Sequence, residues 1–140
     1  HDAPVSCEYL DGLHGGRKLS PDAGAARWTA LRRAALADGI LYAGIARLLE
    51  TRRAANEQSK GWIDRQSRVI NRGLDALEGE IGAFGDTVDI AAIATGCMIG
   101  WVLFRFGADD PLGKRPKLKS WYEKFSQRPS MASTVPQEPK

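Results

Sequence analysis

Apolar residues recur along this chain at three- and four-residue intervals, in blocks broken by glycine-rich stretches, and no block alternates with the two-residue period of a strand. The pattern predicts an all-α protein, a bundle of about five to six helices. Residues 3–12 (APVSCEYLDG) read as a short helix with Pro4 in its first turn, where a missing N–H leaves nothing unpaired. Val5, Tyr9 and Leu10 form its apolar side, and Gly12, Gly15 and Gly16 end it in a loop over 13–19. A long helix is expected from Ser20, a capping residue followed by Pro21 and Asp22, to about Arg53. Its stripe is Trp28, Leu31, Ala35, Asp38, Tyr42, Ile45 and Leu49, with Asp38 the one charge in an apolar row. Gly39 and Gly44 mark points of bending or close backbone approach.

Residues 54–58 break the pattern, and Ser59 caps a second long helix from Lys60 to about Ile81. Its apolar row is Trp62, Val69, Ile70, Leu74, Leu77 and Ile81. The opposite face is charged, with Asp64, Arg65, Arg68, Arg72, Asp75 and Glu78. Asp86-Thr87-Val88-Asp89 then reads as an acidic capping box, with Asp86 accepting the Asp89 N–H and Asp89 reaching back. The run that follows, IAAIATGCMIGWVLF, is apolar on every side and predicts a helix at the centre of the domain. There Gly96 and Gly100 admit a close neighbour, Trp101 and Phe104 belong to the core, and Arg105 meets the last carbonyls. After a loop over 107–113, a shorter helix is expected from Pro116 to Gln127 with Leu118, Trp121, Tyr122 and Phe125 inward. One more turn runs from Pro129 through Ala132, before a polar tail.

Composition narrows the class. The chain has 140 residues, 43% hydrophobic and 26% charged, which fits one globular domain able to bury a core unaided. The net charge is +3 with basic and acidic residues interspersed, so no concentrated basic face argues for nucleic acid. Cys7 and Cys97 form no CxxC and have no ligand partners at metal-binding spacing. Each falls in an apolar stretch as a small hydrophobe, which points to a reducing, cytoplasmic setting without metal. The longest uncharged apolar run, Ile90 to Phe104, has 15 residues, short of the roughly 20 that span a bilayer. Membrane insertion is therefore not expected. No signal-peptide pattern opens the chain; it begins with His1 directly before helical pattern, which reads as a cut within a larger protein.

The strings CEYLDGL, LRRAALADGILYAGIARLLETRR, WIDRQSRVINRGLDALEGEI, DTVDIAAIATGCMIGWVLFRF and LKSWYEKFSQRPSMASTVP cover nearly the whole chain. In this order they resemble bacterial glutathione transferases. The resemblance implies that residues 1–13 are the last helix of a thioredoxin-like N-terminal domain and 14–19 a linker. It makes 20–136 the helical C-terminal domain and 137–140 a tail. In that family glutathione lies mainly on the thioredoxin-like domain, where a serine, cysteine or tyrosine stabilises its thiolate. The helical domain supplies the electrophile pocket and the dimer interface. The resemblance thus implies glutathione as co-substrate, a hydrophobic electrophile, a homodimer and no permanently bound cofactor. No catalytic residue falls within this chain, which alone is expected to be inactive.

Residue by residue, the family's acidic–serine pair ahead of the EYLD helix, which binds the γ-glutamyl end of glutathione, matches Asp2 and Ala3. Asp2 keeps a carboxylate for the ammonium group, and Ala3 lacks the hydroxyl. The other reading of Asp2 is a helix cap. Asp38 lies on the helix that lines the family's cleft, so it is a candidate for glutathione binding and for the pocket; the alternative is an ion pair with Arg105 or Arg33. Tyr42, one turn on, lines the pocket or packs in the core. Asp86 and Asp89 match the family's structural cap of the central helix. The altered residue at Ala3 leaves a non-catalytic binding or scaffold protein of the same fold as the alternative function.

Overall fold

Six α-helices account for most of residues 2–138, the span described by a computed structural model; His1 and the last two residues of the expected tail lie outside it. They are α1 (Ala3–Gly12), α2 (Gly24–Thr51), α3 (Lys60–Glu80), α4 (Ile90–Phe106), α5 (Pro116–Phe125) and α6 (Pro129–Ala132), with no strand among the described residues. Short 3-10 turns at Ala55–Glu57, Ile81–Ala83 and Gly107–Asp109 close the helix ends. The long helices α2, α3 and α4 form the centre, and α5 closes against α3 and α4.

Local chemistry explains the boundaries. Ser59 caps α3 by accepting the Trp62 N–H at 3.3 Å. Pro116 opens α5, whose first N–H groups are met from outside: Glu78 of α3 accepts Lys117 N at 3.1 Å and Leu118 N at 2.7 Å. Glu78 is therefore an inter-helix cap and not merely part of a solvated face. The expected start of α2 moves from Ser20 to Gly24. The cause is that the Leu19 and Ser20 N–H groups donate to the Asp11 carboxylate, which holds 19–20 in a loop. Gly24 enters the helix at φ 70°, the left-handed region that suits glycine.

In α3 the expected row is the core row: Ile70, Leu74, Leu77 and the following Ile81 are buried, and Trp62 at its start is exposed. Full burial of each of Leu74 and Leu77 contributes about 1.5–3 kcal/mol. In α2 the expectation fails. Its buried face is Ala30, Ala37, Ile40, Ala43 and Gly44, whereas Trp28, Tyr42 and Leu49 of the predicted stripe are exposed. Close approach selects the small residues. Ile40 fills the space over Gly73 of α3, and Trp101 of α4 lies over Gly44.

The central helix α4 is buried along Ala91, Ala92, Thr95, Gly96, Met98, Ile99, Val102 and Phe106. Its remaining side is open, so it is not buried all round: Cys97 is exposed, and Trp101 and Phe104 are only half-buried. The window Ile90–Asp109 is long and apolar enough to cross a membrane by composition, with mean hydropathy 1.6. Half of it lies inside the bundle, as in the core helix of a folded domain.

Ion pairs tie the ends of α2 to its neighbours. Arg32 and Arg33 both meet Glu80, and Arg33 also lies 4.2 Å from the centre of the Phe84 ring. The Arg32 guanidinium in particular holds the Glu80 carboxyl below its usual range. At the other end, Arg47 pairs with Asp109 at 2.6 Å and covers the Phe106 ring.

Candidate functional site

Asp2 is the N-cap residue of α1 by backbone geometry, but its side chain accepts no capping bond. Its carbonyl instead accepts the Ser6 N–H and hydroxyl, each at 3.1 Å. The carboxylate is left exposed, and Ala3 begins the helix beside it. Asp38 is half-buried on α2. Burial pushes its carboxyl above the usual range, and the nearby Asp2 carboxylate adds to the rise. The Asp2 carboxylate is thus near enough to Asp38 to act on it through charge, and no hydrogen bond joins the two among the described residues. The ion pair expected for Asp38 is absent among the described residues. Arg33 is engaged by Glu80, and Arg105 by Glu138 of the tail at 2.5 Å instead of the last α4 carbonyls.

An apolar pocket of 240 Å³ opens where α2, α4, α5, α6 and the following residues 134–136 meet. Leu41, Trp101, Tyr122, Met131, Val135 and Pro136 form its walls, with Gly100 beneath Tyr122. Tyr42 is not among them. Successive helix positions turn by about 100°, since 3.6 residues make a turn, so Leu41 faces the pocket and Tyr42 faces outward, 65% exposed. Tyr42 is therefore outside the core and does not line this hollow. Trp101, expected in the core, packs against it and also forms a pocket wall.

Cys97 also borders this pocket, and Cys7 borders a second hollow with Leu10, Ile90 and Ile93. Both are free thiols, and each is exposed beside an apolar hollow. Burial of its surroundings, with Cys7 nearby, raises the Cys97 thiol above its usual range. No group of three or more His, Cys, Asp or Glu that could hold a metal occurs among the described residues.

Of the two aspartates expected at the α4 cap, one holds the role and the box between them does not form among the described residues. Asp89, not Asp86, is the N-cap, and it accepts the Ala92 N–H at 2.8 Å. Asp86 lies exposed in the preceding bend, and the reciprocal pair of bonds between the two aspartates is absent among the described residues.

Three further features escaped the sequence. Asp11, only 7% exposed, organises the α1–α2 loop through Leu19 and Ser20. Those two N–H groups hold its carboxyl below the usual range, with His14 and Lys18 adding to the effect against burial. Arg115, also buried, joins Asp75, Asn71 and the Pro111 carbonyl. Residues 134–136 after α6 close one side of the pocket, and Arg105 meets Glu138 two residues further on.

Residues 60–124 match the family model described as glutathione S-transferase, C-terminal domain. The uncharacterized GST-like protein YibF of Escherichia coli (strain K12) is 36% identical over 138 residues, which cover 96% of this chain and 68% of that protein. A glutathione transferase family member from Pseudomonas fluorescens Pf-5, solved with bound glutathione, is 40% identical. It superposes with a TM-score of 0.95, covering 98% of this chain and 68% of its own. A glutathione S-transferase from Methylobacillus flagellatus KT with GSH bound is 30% identical, with a TM-score of 0.92 and coverage of 98% and 70%. The class follows first: an all-helical domain of the glutathione transferase C-terminal type. The chain belongs to the glutathione transferase family.

Proposed function

We propose that this chain is the electrophile-side and dimerisation part of a cytoplasmic glutathione transferase. On this reading residues 1–13 are the closing helix of a thioredoxin-like domain, 14–19 the linker, 20–136 the helical domain and 137–140 its tail. The observation that carries it is the 240 Å³ apolar pocket, whose wall residue Leu41 is three positions along α2 from Asp38. Residues three apart on a helix are surface neighbours. Glutathione bound at the carboxylates therefore has its electrophile within reach.

The carboxylates suit that role. Asp38 is half-buried and Asp2 adds a like charge to its surroundings, so a nearby ammonium group would stabilise its ionised form. The γ-glutamyl amine of glutathione is such a group, and glutathione is bound in the 40%-identical relative. The thioredoxin-like domain stabilises the thiolate. Its sulfur forms a bond to the electrophilic carbon as the leaving group departs with its electron pair, or as a conjugated π pair shifts toward an acceptor atom. This chain's share is to hold and orient the electrophile, which converts a collision between two solutes into a reaction within one complex.

The test is calorimetric titration of glutathione into the protein joined to its thioredoxin-like domain. Asp38→Asn is expected to weaken binding about tenfold, the scale of one charge-assisted hydrogen bond. Unchanged affinity with a lowered melting temperature would make Asp38 structural and overturn its assignment. Residues 1–140 alone are expected not to conjugate glutathione to an aromatic halide; substantial turnover would refute the division of labour.

A further inference from the structure

The walls of the 240 Å³ pocket carry three hydroxyls, on Tyr122, Ser126 and Thr134. Two are engaged by their own helical turns: Ser126 donates to the Glu123 carbonyl at 3.2 Å and Thr134 to the Ser130 carbonyl at 2.7 Å. The half-buried Tyr122 hydroxyl donates to no other described residue. Of the other polar side-chain groups in the lining, the Cys97 thiol is a weak donor and the Trp101 indole N–H is a second donor without an acceptor among the described residues.

Gly100 permits this placement. A Cβ built there would lie 2.9 Å from the Tyr122 hydroxyl oxygen, so any larger residue would push the phenol aside. Burial, with Cys97 beside it, raises the Tyr122 pKa, so at neutral pH the group keeps its proton and remains a donor.

We infer that the Tyr122 hydroxyl is the specificity-determining donor of this pocket, which selects single-ring apolar compounds bearing a neutral acceptor oxygen such as a carbonyl or nitro group. The size follows from the volume: an apolar cavity of about 150 Å³ takes benzene, so 240 Å³ holds one substituted ring. The neutrality follows from the walls, which present no charged side chain among the described residues. A carboxylate or phosphate would enter unpaired. An acceptor oxygen lodged against an apolar wall is similarly costly unless a donor meets it, and the Tyr122 hydroxyl, held over Gly100, is placed to do so.

This inference rests on the pocket being a ligand site, and the experiment separates the two. The chain of residues 1–140 is titrated with acetophenone and with α-methylstyrene, in which a methylene group replaces the carbonyl oxygen. Binding is followed by the amide shifts of Gly100 and Trp101. Tyr122→Phe keeps the ring and removes only the hydroxyl. It is expected to cut acetophenone affinity about fivefold, one net hydrogen bond, while leaving α-methylstyrene affinity unchanged. An equal effect of Tyr122→Phe on both ligands, or none on either, overturns the inference and leaves the pocket standing. Binding of neither ligand to the parent chain overturns the pocket reading and the inference with it.

Discussion

Asp89 and Asp11 each use a carboxylate to satisfy backbone N–H groups, one locally and one across a loop. Asp89 meets Ala92 N at 2.8 Å, and N-caps of this kind lose about 0.5–2 kcal/mol on truncation to alanine. Urea unfolding of Asp89→Ala is expected to show a loss of about 1 kcal/mol or more. Asp86→Ala, at an exposed bend, is expected to stay within about 0.5 kcal/mol of the parent. The reverse ranking would return the cap to Asp86. Asp11 gives a pH signature. Its folded pKa is depressed chiefly by the Leu19 and Ser20 N–H groups, so its ionised form stabilises the fold above the ordinary aspartate range. That stability is lost as pH falls through the lower folded value. Thermal melts of Asp11→Ala are therefore expected to lie below the parent at neutral pH, with the gap closing only under about pH 4. A gap that widens on acidification would contradict the assignment. The two residues differ in legibility for a physical reason. Capping is local, so an aspartate before an apolar run announces itself, although two aspartates three apart left the register ambiguous. The partners of Asp11 are backbone groups eight and nine residues on, which only the folded loop brings to it.

Among the elements, all six helices were legible from period and punctuation, but the inward face of α2 was not. The chain gives α2 two apolar rows, one of large residues and one dominated by alanine and glycine. Periodicity finds both and cannot rank them. Packing ranks them here, because α3 and α4 both approach α2 closely, and only the small row allows it. The Gly73–Ile40 contact tests this. A Cβ at Gly73 would stand 2.4 Å from Ile40 Cγ1, a side chain that is only 1% exposed and has nowhere to move. Gly73→Ala is expected to destabilise by about 1–3 kcal/mol through overpacking. Gly39, an exposed helical residue of α2 with nothing within 4 Å of its Cβ position, provides the contrast. Gly39→Ala is expected to stabilise by about 0.5–1 kcal/mol, because alanine loses less backbone freedom on folding. Chemical denaturation of the two variants reads both signs; a stabilised Gly73→Ala would show that α2 and α3 are not in close contact.

For the molecule as a whole, the misread row of α2 becomes the informative one. Trp28, Tyr42 and Leu49 are 69%, 65% and 58% exposed, and with Leu31 and Ile45 they line one side of a single helix. An apolar stripe of this length, broken only by Asp38, is unusual on a surface that faces only water. Val5, Tyr9, Leu10 and Leu13 expose a second apolar surface on and just after α1. On the proposed reading a thioredoxin-like domain covers the α1 surface and a second copy of the chain covers the α2 row. The two can be separated, because residues 1–140 carry the row without that domain. Sedimentation velocity of residues 1–140 at rising concentration is expected to show a monomer–dimer equilibrium. Leu49→Asp, which places a charge on the row without entering the core, is expected to shift it to monomer. Its melting temperature should then lose the concentration dependence that a dimer imposes on the parent. A parent chain that stays monomeric at high micromolar concentration would remove the homodimer from this face, and the row would then need another partner to explain why so much apolar surface points away from the core.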